Sequence, residues 1–203
     1  MTLQVKISRK LILYKTALSF LKKRVELIKK FNQKELVWIL EHPLTFTSGI
    51  RSKEDEILDK KIKIIKTNRG GKITLHSPGQ KIVYFALNLN NRKKDIKNLV
   101  KQIEISIMDF LKLYKIKSSR DKKNIGIWVK DKKIAAIGIR VSNWVAYHGF
   151  SINIDNNLDY YKKIIPCGLN NTKITSVKIE SKTKILNMEK KLLIIFIKNL
   201  KNI

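Results

Sequence analysis

The stretch NIGIWVKDKKIAAIGIRVSNWVAYHGFSINI, residues 124–154, contains three apolar runs: NIGIWVK (124–130), KKIAAIGIRV (132–141) and YHGFSINI (147–154). Runs rich in β-branched and aromatic residues read as strands, and connections this short join antiparallel neighbours. The spacing predicts three consecutive antiparallel strands with Asp131 near a hairpin tip. Two further runs of the same character, LVWILEH (36–42) and KIVYFALNL (81–89), extend the sheet upstream.

Elsewhere the apolar period changes from two to about 3.6. Tyr14, Leu18, Leu21, Val25 and Ile28 recur at steps of four and three, which puts them on one helix face with lysines on the other. Ile96, Leu99, Ile103, Ile107, Phe110 and Tyr114 repeat the pattern, and a third helix is expected from about Met188 to Leu200. Helices before, within and after a sheet make an α+β layout. The expectation is a mixed, largely antiparallel sheet flanked by helices that cover mostly one face, forming one domain over residues 1–203.

The longest apolar runs, such as Ile82 to Leu87 and Leu192 to Ile197, fall far short of the ~20 residues that span a bilayer. Arg9, Lys10 and Lys15 interrupt the one candidate signal-peptide core, so a cytoplasmic protein is expected. A single cysteine cannot form an internal disulfide, and with three scattered histidines it offers no zinc-ligand spacing. No metal and no other cofactor is expected. The balance of 44 Lys+Arg against 16 Asp+Glu gives a formal charge of +28. Such a field attracts nucleic acid, anionic membrane or acidic proteins. The lysines are spread along the whole chain, without the Arg-rich block or aromatic interleaving of a dedicated nucleic-acid surface. Part of the charge also follows a bias towards Lys, Ile and Asn, whose codons are A- and T-rich.

With three prolines and eight glycines in the chain, their positions are informative. They cluster in RGGKITLHSPGQ (69–80), AIG (136–138), HGF (148–150) and PCG (166–168), where backbone is expected to approach a ligand closely. Cys167 in PCG and Lys133 beside IAAIG are the candidate chemical pair. A thiol is a nucleophile only as its thiolate, and a neighbouring amine or ammonium is one of the few groups that produces it near neutral pH. The place of Lys133 next to IAAIG selects it over Lys132. His76 and His148 are candidate pocket residues or structural histidines in equal measure, and His42 is expected to shape a loop.

Five segments in order, EHPLTFTSG (41–49), RGGKITLHSPGQ (69–80), KKIAAIGIR (132–140), HGFSINI (148–154) and PCG (166–168), resemble the motifs of the lipoate-pathway octanoyltransferases, the lipoyl(octanoyl) transferases. The resemblance runs from about Leu36 to Val177, with one departure: Ser77 stands where the family has glycine. It implies the fold of biotin and lipoate protein ligase catalytic domains, and transfer of octanoate from acyl carrier protein to a lysine of lipoyl domains. Those domains would belong to 2-oxoacid dehydrogenase complexes or the glycine cleavage protein. It further implies Cys167 as thioester nucleophile and Lys133 as its activator. Arg69, Gly70, Gly71, Lys72, Ile73, Thr74, Leu75 and His76, together with Ala136, Ile137, Gly138, Gly149, Phe150 and Ser151, would line the acyl site. No cofactor, nucleic acid or membrane is implied, and a monomer is expected. The competing readings are an ATP-dependent lipoate or biotin protein ligase and a basic RNA-binding module.

Overall fold

The computed structural model describes residues 2–121, 124–168, 172–183 and 186–203, and of Cys167 the backbone alone. In chain order the elements are β1 (Leu3–Ile7), α1 (Tyr14–Phe31), β2 (Glu35–Leu40), β3 (Thr45–Ser48), β4 (Ile64–Lys66), β5 (Thr74–His76) and β6 (Gln80–Asn88). They continue with α2 (Ile96–Lys112), β7 (Ser119–Arg120), β8 (Ile127–Val129), β9 (Lys132–Ser142), β10 (Val145–Asn153), β11 (Lys173–Ile174), α3 (Val177–Glu180) and α4 (Met188–Leu200).

The main sheet runs β1-β2-β6-β10-β9-β8-β7, with β11 pairing alongside β9. Its centre is antiparallel, with Gly149 opposite Tyr84 on one side and Gly138 on the other, while β1 on β2 and β11 on β9 are parallel. A second sheet of three short strands, β4-β3-β5, lies apart from it.

Alternation along β2 explains the layering. Leu36, Trp38 and Leu40 meet Ala17, Leu21, Val25 and Ile28 of α1, whereas Val37 and Ile39 join the cluster that holds Ile103, Ile107 and Phe110 of α2 with Leu192 and Phe196 of α4. Every residue of β2 is buried, so helices cover both faces of the central strands. This corrects the expectation of a sheet covered mostly on one face. The three helices otherwise fall close to where periodicity puts them. The side chain of Asp95 accepts a hydrogen bond from the Asn98 N–H (2.9 Å) and starts α2, and α1 ends at Asn32 in the left-handed region. Among the described residues no helix is long and apolar enough to cross a membrane.

The ring of Phe196 packs against Phe85 and Phe150, with centroids 5.9 and 5.3 Å away, and so ties the C-terminal helix to the two strands at the middle of the sheet. Phe196→Ala is expected to cost about 3–5 kcal/mol of stability, read as a lower urea midpoint.

Candidate active site

Lys132 and Lys133 point to opposite sides of β9. Lys132 is exposed enough to pair with Glu180 (3.5 Å), while Lys133 is 4% exposed and faces inward. The Lys133 Nζ donates to the Ile125 carbonyl (2.9 Å) and stands 5.3 Å from the centre of the Trp128 ring. A buried nitrogen needs such partners, and the backbone beside it is shaped to supply one. Gly126 has φ +140°, and a Cβ there would lie 2.5 Å from Lys133 Cε and 2.7 Å from the Ala135 carbonyl oxygen. The run 124–130 is therefore a strand only over β8. Its first three residues arch over the lysine instead, with a carbonyl turned inward and a glycine where any side chain would collide.

Pro166–Gly168 forms a single 3-10 turn. The chain leading into it is braced by the Ile165 N–H bonding the Glu56 carbonyl (2.8 Å) and by a bridge between Ile57 and Ile164. Gly168 packs on the ion pair between Lys72 and the buried Glu56 (2.9 Å). Gly168 and Lys133 line the same cavity, and Pro166 and Lys133 share the wall of a second, much smaller one. The turn carrying Cys167 is thus brought to Lys133. The Cys167 side chain lies outside the described residues, and with it the sulfur-to-nitrogen distance.

The cavity has a volume of about 320 Å³. It lies on the α1 side of the main sheet, along Ala136 and Gly138 of β9, Gly149 and Ser151 of β10, and Ile82 and Tyr84 of β6. Gly71, Lys72, Ile73, Thr74 and His76 form the opposite wall and His148 completes the floor; Ile137 and Phe150 border the cavity but turn their side chains into the core on the α2–α4 side of the sheet. Two expected residues are not on its surface. Leu75 alternates away from Thr74 and His76 and packs with Phe46, Ile73 and Ile164; Gly70 instead donates its N–H to the Ile139 carbonyl (3.1 Å). That contact seats the 69–71 loop on β9 so closely that a Cβ on Gly138 would lie 3.2 Å from the Gly70 carbonyl oxygen. Arg69 locks the same loop by donating to the carbonyl and hydroxyl of Thr47 (both 2.9 Å) and to the Gly70 carbonyl (3.1 Å). Ser77 is buried outside the cavity wall, and its hydroxyl has no hydrogen-bond partner among the described residues.

Tyr14, Tyr84, Ile125 and Gly126 were not among the site residues expected from sequence. Tyr14 belongs to an apolar helical stripe and Tyr84 to a strand, patterns that signal core. A glycine inside a strand-like run was the one available hint of Gly126.

The three histidines are buried and fixed. The His42 Nδ1–H donates to the Ile12 carbonyl, which leaves Nε2 to accept the Tyr84 hydroxyl (2.9 Å). His76 donates from Nδ1 to Gln80 Oε1 (2.7 Å), and His148 from Nε2 to Asn68 Oδ1 (2.9 Å). Burial, and for His76 and His148 neighbouring positive charge, lowers His42 to about 4 and His76 and His148 to about 3. All three rings are neutral at pH 7 and too weakly basic to take a proton in turnover. They have a consequence for stability. Below the ordinary histidine value of about 6.5 the unfolded chain binds protons that the folded chain refuses, so stability holds above that pH and is lost as pH falls towards 4. Each ring contributes about 1.4 kcal/mol per pH unit to the loss. The melting temperature is expected to be level from pH 8 to 7 and to fall steeply from pH 6 to 4.5, with unfolding taking up about three protons; a level profile down to pH 5 contradicts this account.

The family description "Lipoyl protein ligase A/B catalytic domain" matches residues 14–195. A protein named octanoyltransferase from Wolbachia sp. subsp. Brugia malayi is 42% identical over 177 residues, 85% of this chain and 86% of that one. Another of that name from Ehrlichia chaffeensis is 46% identical over 171 residues, 81% and 80% of the two chains. In fold, the chain is similar to the bi-partite lipoate protein ligase of Thermoplasma acidophilum, with a TM-score of 0.74, 13% identity, and 99% and 84% coverage of the two chains. It is also similar to biotin protein ligase from Aquifex aeolicus, with a TM-score of 0.55, 16% identity, and 99% and 71% coverage. A match over residues 14–195, with relatives above 40% identity of which it covers 86% and 80%, makes this chain a member of the lipoyl protein ligase A/B catalytic-domain family.

Proposed function

We propose that this protein transfers an octanoyl group from acyl carrier protein to a lysine of a lipoyl domain through a thioester on Cys167, with Lys133 moving the protons. The observation that carries this reading is a buried lysine, bonded to the Ile125 carbonyl, on one wall of a cavity that Gly168 of the PCG turn also lines. Relatives named octanoyltransferase give the acyl group.

A free thiol with a pKa of about 8.5 is mostly protonated at pH 7. Lys133 supports the thiolate as an ammonium or accepts the thiol proton as an amine, two microstates of one coupled pair. The sulfur attacks the carbonyl of the incoming thioester. A new C–S bond to Cys167 forms, the bond to the carrier's sulfur breaks, and the departing thiolate takes the proton held at Lys133. The acyl group only changes sulfurs, so no ATP is consumed. In the second half, the amine of the lipoyl-domain lysine attacks the acyl-enzyme. An amide C–N bond forms, Cys167 leaves as thiolate, and the amine's proton passes to Lys133. Neutral, weakly basic histidines leave Lys133 as the slot residue suited to that transfer.

The tail fills the slot over Ala136 and Gly138 of β9 and Gly149 of β10, against Ile82 and Tyr84 of β6. At about 0.8 kcal/mol per methylene, some six buried methylenes supply roughly 5 kcal/mol of binding. Carrier proteins and lipoyl domains are the partners of this reading, and a surface of charge +28 steers acidic partners into contact.

Mixing the protein with octanoyl-carrier protein in the absence of ATP is expected to add one octanoyl mass to the enzyme, on Cys167, removable by hydroxylamine; strict ATP dependence or no adduct overturns the reading. Cys167→Ser and Lys133→Ala are each expected to abolish transfer. Gly126→Ala, which would push Lys133 from its place, is expected to lower kcat about 100-fold with KM little changed and the circular dichroism spectrum retained.

A further inference from the structure

Two lysines line the cavity from opposite walls, Lys133 on β9 and Lys72 in the loop ahead of β5. Lys72 also packs on the PCG turn. Gly168 closes that turn by donating its N–H to the Ile165 carbonyl (3.0 Å), with φ +64°. A Cβ at this position would collide with both Lys72 Nζ and Glu56 Oε1, so the glycine leaves its space to their ion pair and the ammonium rests against the residue that follows Cys167.

The pair has a direction. Glu56 is 3% exposed, lies behind the wall, and accepts the Ile73 N–H on its second oxygen (3.4 Å), whereas Lys72 is the member that lines the cavity. Among the described residues Glu56 is the one partner of the Lys72 ammonium, which carries three donors. The positive end of the pair is therefore presented to the cavity.

Other charges about the turn are engaged elsewhere. Lys162 pairs with Asp159, Lys163 with Asp59 and Lys173 with Asp131. On the cavity wall Arg69 is bonded to Thr47 and Gly70, and Arg51 is exposed to water. His76 and His148 are neutral, as are the phenols of Tyr14 and Tyr84, which burial pushes up.

Resting on the octanoyltransferase reading, we propose that Lys72 is a second functional cation of the acyl-transfer centre: Lys133 moves protons, while Lys72, fixed by Glu56, holds negative charge on the Cys167 sulfur and, after attack, on the carbonyl oxygen. Lys72 forms no covalent bond and gives up no proton. An ammonium beside a thiol favours the thiolate, and a charge fixed in advance needs no reorganisation when the oxyanion develops.

The chain has one cysteine, so alkylation by iodoacetamide, followed by intact mass as a function of pH, reads the Cys167 thiolate with no acyl donor present. The midpoint belongs to the Cys167–Lys133 pair and is compared between variants of the full-length protein. Lys72→Met keeps the stem and removes the charge; it is expected to raise the midpoint by about one pH unit, and Lys72→Arg to leave it near the wild-type value. Glu56→Gln takes away the counter-charge and is expected to lower the midpoint. A pair that only shaped the turn would move Lys72→Met and Glu56→Gln in the same direction. With octanoyl-carrier protein, kcat/KM is expected to fall about tenfold or more in Lys72→Met and to recover in Lys72→Arg. A midpoint that stays in place in Lys72→Met, or one that does not fall in Glu56→Gln, overturns the proposal, as does Lys72→Arg behaving like Lys72→Met. Should Glu56→Gln fail to fold, the two Lys72 variants decide. A protein that shows the expected alkylation shifts yet takes up no octanoyl group sinks the functional reading and leaves the charge on the thiolate assigned.

Discussion

The hydrogen bond from Lys133 Nζ to the Ile125 carbonyl is the contact around which the site is organised. A lysine taken out of water has to be given a partner, and its flexible four-carbon stem has to be held if the nitrogen is to meet one particular atom. Both needs are met by the chain just before β8. The positive φ at Gly126 turns a carbonyl towards the amine, and the missing Cβ leaves room for the stem. Trp128, opposite Lys133 in the β8–β9 ladder, closes the other side of the side chain.

The slot exists because the second sheet and the 69–71 loop roof the part of the main sheet that α1 leaves uncovered. Small residues on β9 and β10 keep that roof close, and the three hydrogen bonds from Arg69 keep it from sliding. The Glu56–Lys72 pair extends the bracing to the far side, where the PCG turn rests on it. The loops that touch the substrate site are therefore tied at both ends to strands, as expected for a geometry that must be in place before a substrate arrives. The neutral histidines belong to the same bracing. Both ring nitrogens of His42 are bonded, to Ile12 and Tyr84, and one each of His76 and His148, to Gln80 and Asn68, and their burial leaves the proton traffic to the lysine.

Much of this was legible from local pattern. The period-two runs marked β2, β6, β9 and β10, and the 3.6-residue stripes marked α1, α2 and α4, because side-chain direction within one element follows from backbone geometry alone. The order of the motifs marked most of the cavity wall. Leu75 and Gly70 lie off the cavity wall, which a contiguous motif does not reveal, because it does not say which of its residues alternate away from the open space. Coverage of both sheet faces was missed because a wholly buried strand such as β2 shows no alternation of polarity from which a single buried face could be read. The edge strand β1 and the three-stranded sheet are too short to give a periodic signal.

The α+β class, the family resemblance, and Cys167 and Lys133 as candidates for nucleophile and base could be read from the amino-acid order alone, since these rest on residue identity and on spacing within short segments. That Tyr14 lines the cavity, that Gly126 leaves room for the stem of Lys133, and that the PCG turn shares a cavity wall with that lysine all came from the packing of the folded chain. Each of these is a contact whose neighbours are set by strand order and by the packing of α1 and the second sheet, and nothing in the local pattern of a chain states which distant segment will fill the space beside it.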